Sequence, residues 1–141
     1  MLLATFSAVF VLTQLPGGAI SDSVGRRSPV LAGLACVVAS LVVLPSMPSF
    51  GLLAAGMGLY GLGYGLLFPS VSALIADGTE VEERGLATGL FHALLTAGVA
   101  IGAPVMGWVA ALWGVGAGLL VIPVPVLFAF VLALVFLCRP S

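Results

Sequence analysis

The sequence predicts an all-α membrane protein with five transmembrane helices, and three observations support this fold class. First, 62% of the residues are hydrophobic and only 6% are charged, whereas a soluble domain carries about a quarter charged residues. Second, the apolar residues form long runs rich in Leu, Ala, Gly and Val, which suit helices and not the short strands of a membrane barrel. Third, the charged residues are confined to short connections between those runs and to the C-terminus.

Turn residues divide the apolar runs into separate helices. Pro29 suits the first turn of a helix, because a proline there loses no hydrogen bond. The segments 45–49 (Pro-Ser-Met-Pro-Ser) and 113–116 (Trp-Gly-Val-Gly) are predicted turns. Polar residues at 22–28 and 77–84 form the other two connections. The single membrane domain of residues 1–141 then contains predicted helices at 2–21, 29–44, 50–76, 85–112 and 117–138.

The distribution of charge supports this helix count and predicts the orientation. With five helices, connections 22–28 and 77–84 fall at one membrane face together with the C-terminus, which carries Arg139. The uncharged turns 45–49 and 113–116 fall at the other face with the N-terminus. Positively charged loops remain in the cytoplasm. We therefore expect a multi-pass protein of the cell membrane (plasma or inner), with its N-terminus outside and its C-terminus cytoplasmic.

Small residues recur along the predicted helices at the spacing of one helical turn. Lipid supplies no hydrophobic force between helices, so helices meet where small side chains let their backbones approach. A proline inside a helix removes a backbone donor and bends the helix. The alternative is that glycine is simply frequent in membrane helices. The positions predicted to serve helix packing are Gly61, Gly65, Gly85, Gly89, Gly98, Gly102 and Pro104.

The connection after the first helix carries the most distinctive pattern in the chain. Gly18, Asp22, Gly25, Arg26 and Arg27 follow the spacing Gly-x3-Asp-x2-Gly-Arg-Arg between two apolar runs. This pattern resembles the signature loop of the major facilitator superfamily of secondary transporters. The resemblance implies a gate: such loops hold one conformational state closed and release it in the other. The alternative is that the charges only anchor the loop at the membrane surface.

The resemblance extends over nearly the whole chain. Segments 61–69 (Gly-Leu-Gly-Tyr-Gly-Leu-Leu-Phe-Pro) and 83–89 (Glu-Arg-Gly-Leu-Ala-Thr-Gly) are similar to the family's passage across a cytoplasmic connection. The family has two six-helix halves, so these five helices correspond to helices two to six or eight to twelve. Met57 replaces an arginine usual in the first half, and the chain ends three residues after the last predicted helix. Both points favour a partial C-terminal half-bundle, from a fragment or a truncated gene product.

The implied function is secondary active transport of a small solute by alternating access, within a pump that resembles multidrug or efflux transporters. Its expected partners are that solute, the lipid bilayer and the missing N-terminal half or another copy. Polar residues inside the helices are candidates for the solute path: His92, which is ionisable, and Gln14, Thr96, Thr13 and Tyr64. A neutral histidine can also hydrogen-bond to a Ser, a Thr or a backbone carbonyl within the bundle. A role in helix packing is therefore the alternative for His92. The sequence does not identify the solute.

Other functional classes find less support. The net charge of −1 offers no basic surface, so nucleic acid is not an expected partner. An intramembrane enzyme would need a nucleophile and base or a metal cluster inside the helices, and no such spacing is present in the sequence. We expect no enzyme activity, metal or cofactor. A truncated, non-transporting membrane remnant or an interaction subunit that packs through its glycines is the alternative function.

Overall fold

The computed structural model describes residues 1–137, and this part of the chain contains five α-helices, one 3-10 turn (Leu44–Ser46) and no strand. The predicted end of the fifth helix at Cys138 and the C-terminal Arg139 lie outside the described residues. The helices are α1 (Leu2–Val24), α2 (Arg27–Val43), α3 (Phe50–Asp77), α4 (Arg84–Val121) and α5 (Pro123–Leu137).

The first two helices are longer than predicted, and only two residues separate them. α1 continues to Val24, where the sequence predicts an end at residue 21. It ends because Gly25 adopts φ 92°, a left-handed conformation that favours glycine. Arg26 returns to helical geometry at once, so α2 begins at Arg27, before the predicted Pro29. The charged connection is therefore a sharp turn.

The second half of the chain folds back at one glycine. Gly114 has φ 84° and ψ 160° and breaks α4 where the sequence predicts a turn at 113–116. Beyond it the helix runs back beside itself, since a Cβ built at Gly118 would lie 3.5 Å from the Cβ of Ala110. Ile122, between α4 and α5, keeps helical angles (φ −53°, ψ −42°), and α5 begins at Pro123, which has no N–H to donate. The predicted helix 117–138 is thus divided between the end of α4 and α5.

α3 lies between α1 and α2, and the three helices meet through glycine. Along α1 and α3 contacts advance in the same direction, because Gly61 lies against Phe6 and Gly65 against Thr13. α2 packs antiparallel on another side of α3, where Gly33 and Gly63 each approach the backbone carbonyl of the other. This arrangement requires glycine, because a Cβ at Gly33 would lie 2.7 Å from the Gly63 oxygen.

The surface and interior have the composition expected of a membrane protein. Large apolar side chains cover the outside, and among the described residues the buried hydrophobic side chains are Val30, Val37 and Val109. Four helical segments are long and apolar enough to span a membrane, and the fourth, Arg84–Leu137, contains the Gly114 break. Residues 84–113 and 115–137 each exceed the about 20 residues that a span requires. The chain is therefore an all-α membrane protein.

Candidate functional site

Arg26 joins two charged connections at one face of the bundle. Its Nη1 donates to Oδ1 of Asp22, at the end of α1, and its Nε donates to Oδ2 of Asp77 at 2.9 Å, at the end of α3. The Arg26 side chain is 28% exposed, while those of Asp22 and Asp77 are 67% and 58% exposed. One guanidinium thus holds the ends of α1 and α3 at the start of α2.

The electrostatics of this bridge are simple. The hydrogen bond to Asp77, followed by that to Asp22, raises the pKa of the Arg26 guanidinium above its ordinary value. Arg26 therefore stays charged throughout the physiological pH range. Ion pairs that water reaches contribute little stability. The bridge consequently fixes the relative positions of helix ends more than it stabilises the fold.

Two further arginines reach the ends of helices at the same face. Arg27 Nη1 donates to the backbone oxygen of Leu137 at 3.1 Å, and Arg84 Nε donates to the backbone oxygen of Ala76 at 3.1 Å. The Ala76 oxygen is in the last turn of α3, where carbonyls lack partners and the helix dipole favours a cation. The described ends of α1, α3 and α5 therefore share one face, in agreement with the predicted grouping of charges.

The two glycines of the signature pattern have different surroundings. Gly25 needs the freedom of glycine because its φ is positive. Gly18 is helical and half-buried, and a Cβ built on it would meet nothing within 4 Å. Asp22, Gly25, Arg26 and Arg27 cluster in the turn, whereas Gly18 lies more than one helical turn before it in α1.

Gly61 and Gly65 lie in the tightest helix contacts. A Cβ at Gly61 would lie 2.5 Å from the Phe6 carbonyl oxygen, and one at Gly65 would lie 2.8 Å from Thr13 Cβ. Gly17 has the same role on α1, because its Cβ would lie 2.5 Å from the Gly65 oxygen. Gly17 was not predicted from the sequence, although its spacing of four from Thr13 places both residues on one face of α1.

The glycines of α4 have no such neighbours. A Cβ built at any of the four predicted positions would meet nothing within 4 Å among the described residues, and Pro104 is exposed. The packing predicted for these residues is therefore not made by the described part of this chain. Helix packing at these positions remains a prediction. The residues concerned are Gly85, Gly89, Gly98, Gly102 and Pro104.

Three of the polar candidates, Gln14, His92 and Thr96, do not form one site. Gln14 lines a groove of about 450 Å³ with Phe68 and Ser72. His92 is exposed on α4; its Nδ1 lies 2.9 Å from the Thr88 oxygen, and its own backbone oxygen accepts a hydrogen bond of 2.8 Å from Thr96. The ring of Phe68 lies 6.1 Å from that of His92. Phe68 therefore stands between the groove of Gln14 and the face that carries His92.

A larger open groove, of about 620 Å³, lies between α3 and α4 and is lined by aromatic rings, of which the sequence indicated only Tyr64 as a candidate for the solute path. Tyr60 and Tyr64 line it from α3, and Phe91 lines it from α4. The spacing of four between the tyrosines places them on one helix face, which is the sequence signal that could have identified the pair. Within residues 1–137, no group of three or more His, Cys, Asp or Glu could hold a metal ion.

Comparison with known proteins identifies the family. The family model of the Major Facilitator Superfamily matches residues 1–141. The multidrug resistance protein Stp of Mycobacterium tuberculosis is 31% identical over 115 residues, covering 80% of this chain and 21% of that protein. The MFS-type efflux pump MMF1 of Mycosarcoma maydis is 32% identical over 106 residues, covering 75% of this chain and 17% of that protein.

A third relative is the bacillibactin exporter of Bacillus subtilis, which is 30% identical over 92 residues and covers 64% of this chain and 23% of that protein. The chain thus spans about a fifth of the length of the relatives it matches. No solved structure matches it. Since the family model covers the chain from end to end and the helices carry the signature loop, this chain belongs to the Major Facilitator Superfamily of membrane transporters.

Proposed function

We propose that the chain is part of a secondary active transporter that exports a small solute across the cell membrane by alternating access. Support comes from the family and from the relatives, among which are a multidrug resistance protein, an efflux pump and an exporter. The chain would supply the last five helices of the C-terminal half. The remaining helices would come from an N-terminal half or from another copy.

The observation that carries this proposal is the Arg26 bridge. Its two carboxylates lie on different helices, so a relative movement of α1 and α3 separates at least one of them from the guanidinium. Exposed pairs of this kind are weak enough to break in a conformational cycle. The bridge would form in one state and open in the other. The gating loop would consist of Asp22, Gly25, Arg26 and Arg27, with Gly18 preceding it in α1.

In this proposal the charged face is cytoplasmic, the N-terminus is outside and the C-terminus is inside. Labelling with a membrane-impermeant maleimide tests this orientation. The background is a variant in which Cys36 and Cys138 are replaced by serine, and single cysteines are introduced in turn at Ser23 and Ser46. We expect Ser23→Cys to react only in inverted vesicles and Ser46→Cys only in right-side-out vesicles. The reverse pattern would place the gating loop outside.

Transport itself is tested in cells that lack their own efflux pumps. The chain is expressed alone and together with the part of Stp that lies outside the matched region, and export of Nile red, ethidium and fluorescein is followed with and without a protonophore. These dyes are uncharged, cationic and anionic respectively. Energy-dependent export of at least one dye, by the pair only, is the expected result.

The alternative function is a non-transporting interaction subunit, and the open glycine face of α4 is the observation that favours it. In that case no dye is exported under either condition, and the chain co-purifies with another membrane protein. Replacement of Gly85 and Gly89 by leucine would abolish that association, because the larger side chains prevent close approach of helices.

A further inference from the structure

The two helices whose ends the Arg26 bridge joins each contain a proline at the same distance from the charged face. Pro16 lies within α1 (Leu2–Val24), and Pro69 lies within α3 (Phe50–Asp77). Each proline is followed by about eight helical residues, which span about 12 Å. Since both helices end at the same face, the two prolines lie at one depth of the bundle.

The two prolines are also in register across the contact between the helices. Gly17 follows Pro16 directly, and a Cβ built on Gly17 would lie 2.5 Å from the Gly65 oxygen. In a regular helix that oxygen accepts the N–H of residue 69, but a proline has no N–H. The carbonyl that Pro69 leaves without its backbone donor therefore faces α1 next to Pro16. These four residues define the proline level of the bundle.

Hydroxyl groups replace part of the lost backbone bonding just beyond Pro69. Ser70 Oγ donates to the Leu66 oxygen at 2.7 Å, and Ser72 Oγ donates to the Phe68 oxygen at 2.9 Å. Bonds of this kind bend helices, and a rotating hydroxyl can follow a carbonyl that tilts. At the proline level α3 is therefore less stiff than a helix with a complete set of backbone hydrogen bonds.

Packing before the proline level is tight. A Cβ built on Gly61 would lie 2.5 Å from the Phe6 oxygen, and one built on Gly63 would lie 2.8 Å from the Gly33 oxygen. Backbones at this separation have no space in which to shift against one another. Before the proline level, α1, α2 and α3 therefore form one rigid body.

Beyond the proline level there is room beside α3. Pro69 and Ser72 line a groove of about 450 Å³, and Leu74 lines another of about 440 Å³ beside Arg26. A bend of about 20° at a proline moves the tip of an arm of about 12 Å by about 4 Å. Asp77 is at that tip, with Oδ2 2.9 Å from Arg26 Nε. Such a movement takes the two charges beyond the about 4 Å that an ion pair allows.

We propose that α1 and α3 bend at the proline level, so that residues 17–24 and 70–77 swing apart as two short arms while the glycine contacts before them stay closed. The swing separates Asp77 from Arg26 without sliding one helix along the other. Its use as a gate rests on the proposed function, whereas the bend itself can be measured without transport. The competing account is that each helix tilts as a rigid rod, which would part the glycine contacts as well.

Pulsed electron paramagnetic resonance on the full chain in nanodiscs distinguishes a bend from a rigid tilt. In the variant without native cysteines, nitroxides at Ser23→Cys and Thr79→Cys report on the arms. Nitroxides at Leu3→Cys and Leu59→Cys, at exposed positions of α1 and α3, report on the packed part. Arg26→Gln removes the bridge and releases the arms. We expect this substitution to lengthen the 23–79 distance by about 4 Å or more and to leave the 3–59 distance unchanged.

Replacement of the prolines locates the bend. Pro16→Ala and Pro69→Ala restore both missing N–H groups, and alanine is the better helix former, so the helices are retained. Added together to Arg26→Gln, they should abolish the lengthening of the 23–79 distance. Pro104→Ala is the matched control, because Pro104 lies inside α4, which carries neither arm. It should leave the lengthening intact.

The outcomes separate the bend from the transport activity. Lengthening of the 23–79 and 3–59 distances together would mean a rigid tilt and would overturn the proposal. An unchanged 23–79 distance, or lengthening that persists after both proline replacements, would overturn it as well. Proline-dependent lengthening in a chain that exports no dye with its complementary half would refute the proposed function and leave the bend standing. Undiminished export after both proline replacements would leave the proposed function standing and remove the bend from the gate.

Discussion

Two glycine-rich seams of this protein have similar sequences and opposite surroundings. On α3, Gly61 and Gly65 are buried and lie against the backbone of α1. On α4, Gly85 and Gly89 recur at the same spacing of four residues and are exposed, with no described atom within 4 Å of a Cβ placed on either. The comparison teaches that small residues at helical spacing permit close approach but do not specify which helix approaches.

The largest expected effect is from a methyl group added to the packed seam. In Gly65→Ala the new Cβ would lie 2.8 Å from Thr13 Cβ and 3.2 Å from the Phe10 oxygen, so α1 must move away from α3. We expect the free energy of unfolding to fall by about 1–3 kcal/mol. Titration of the micellar protein with sodium dodecyl sulfate, followed by circular dichroism, measures it.

The matched control is Gly89→Ala on the open seam. Alanine is the better helix former by about 1 kcal/mol, and nothing within the described residues obstructs it. We therefore expect the opposite sign, a modest gain in the free energy of unfolding. Equal losses at Gly65 and Gly89 would mean that the two seams are packed alike and that the contrast between them is wrong.

The next effect concerns the Arg26 bridge, which joins the ends of α1 and α3 at the charged face. Arg26→Gln removes both ion pairs, and we expect dye export by the chain with its complementary half to fall about tenfold, a typical magnitude for coupling between sites. Arg26→Lys should restore part of it, because a single ammonium cannot match the fork of the guanidinium. The control is Arg84→Gln, which removes a contact to a carbonyl outside the bridge. Loss of export in Arg84→Gln alone would contradict the role of Arg26.

A smaller effect distinguishes the two glycines of the signature loop. Gly25→Ala forces a side chain into a left-handed conformation and should lower the free energy of unfolding by about 1 kcal/mol. Gly18→Ala has a helical backbone and free space, so it should be neutral or slightly stabilising. Thermal unfolding of both variants checks this difference. A neutral Gly25→Ala would show that the turn does not depend on glycine.

The sequence was most informative about the backbone and the ends of the helices. The charges at 22–28 and 77–84 identified one shared face, since charge cannot enter the hydrocarbon cheaply. The glycines at 113–116 indicated the reversal that Gly114 makes. Such features depend on local chemistry and on the thickness of the bilayer, and both are readable along a single chain.

The sequence was less informative about which side chains meet. Of the polar candidates for the solute path, only Tyr64 lines the groove between α3 and α4, and its neighbours there, Tyr60 and Phe91, were not predicted. Apolar and aromatic residues are abundant in every membrane helix, so their periodicity does not reveal the face that borders a cavity. For the same reason the glycines of α4 gave no sign that the described chain leaves them uncovered.

α1 and α3 end side by side at one face, joined through Arg26. Pulsed electron paramagnetic resonance in nanodiscs measures the distance between the ends of these two helices. Nitroxide labels are attached at Ser23→Cys and Thr79→Cys in the variant without native cysteines. A pair at Ser23→Cys and Ser46→Cys, at opposite ends of α2, provides a ruler in the same molecule. We predict a 23–79 distance well below the about 30 Å thickness of the hydrocarbon and below the 23–46 distance. A 23–79 distance of about 30 Å or more would place the two connections on opposite faces and contradict this claim.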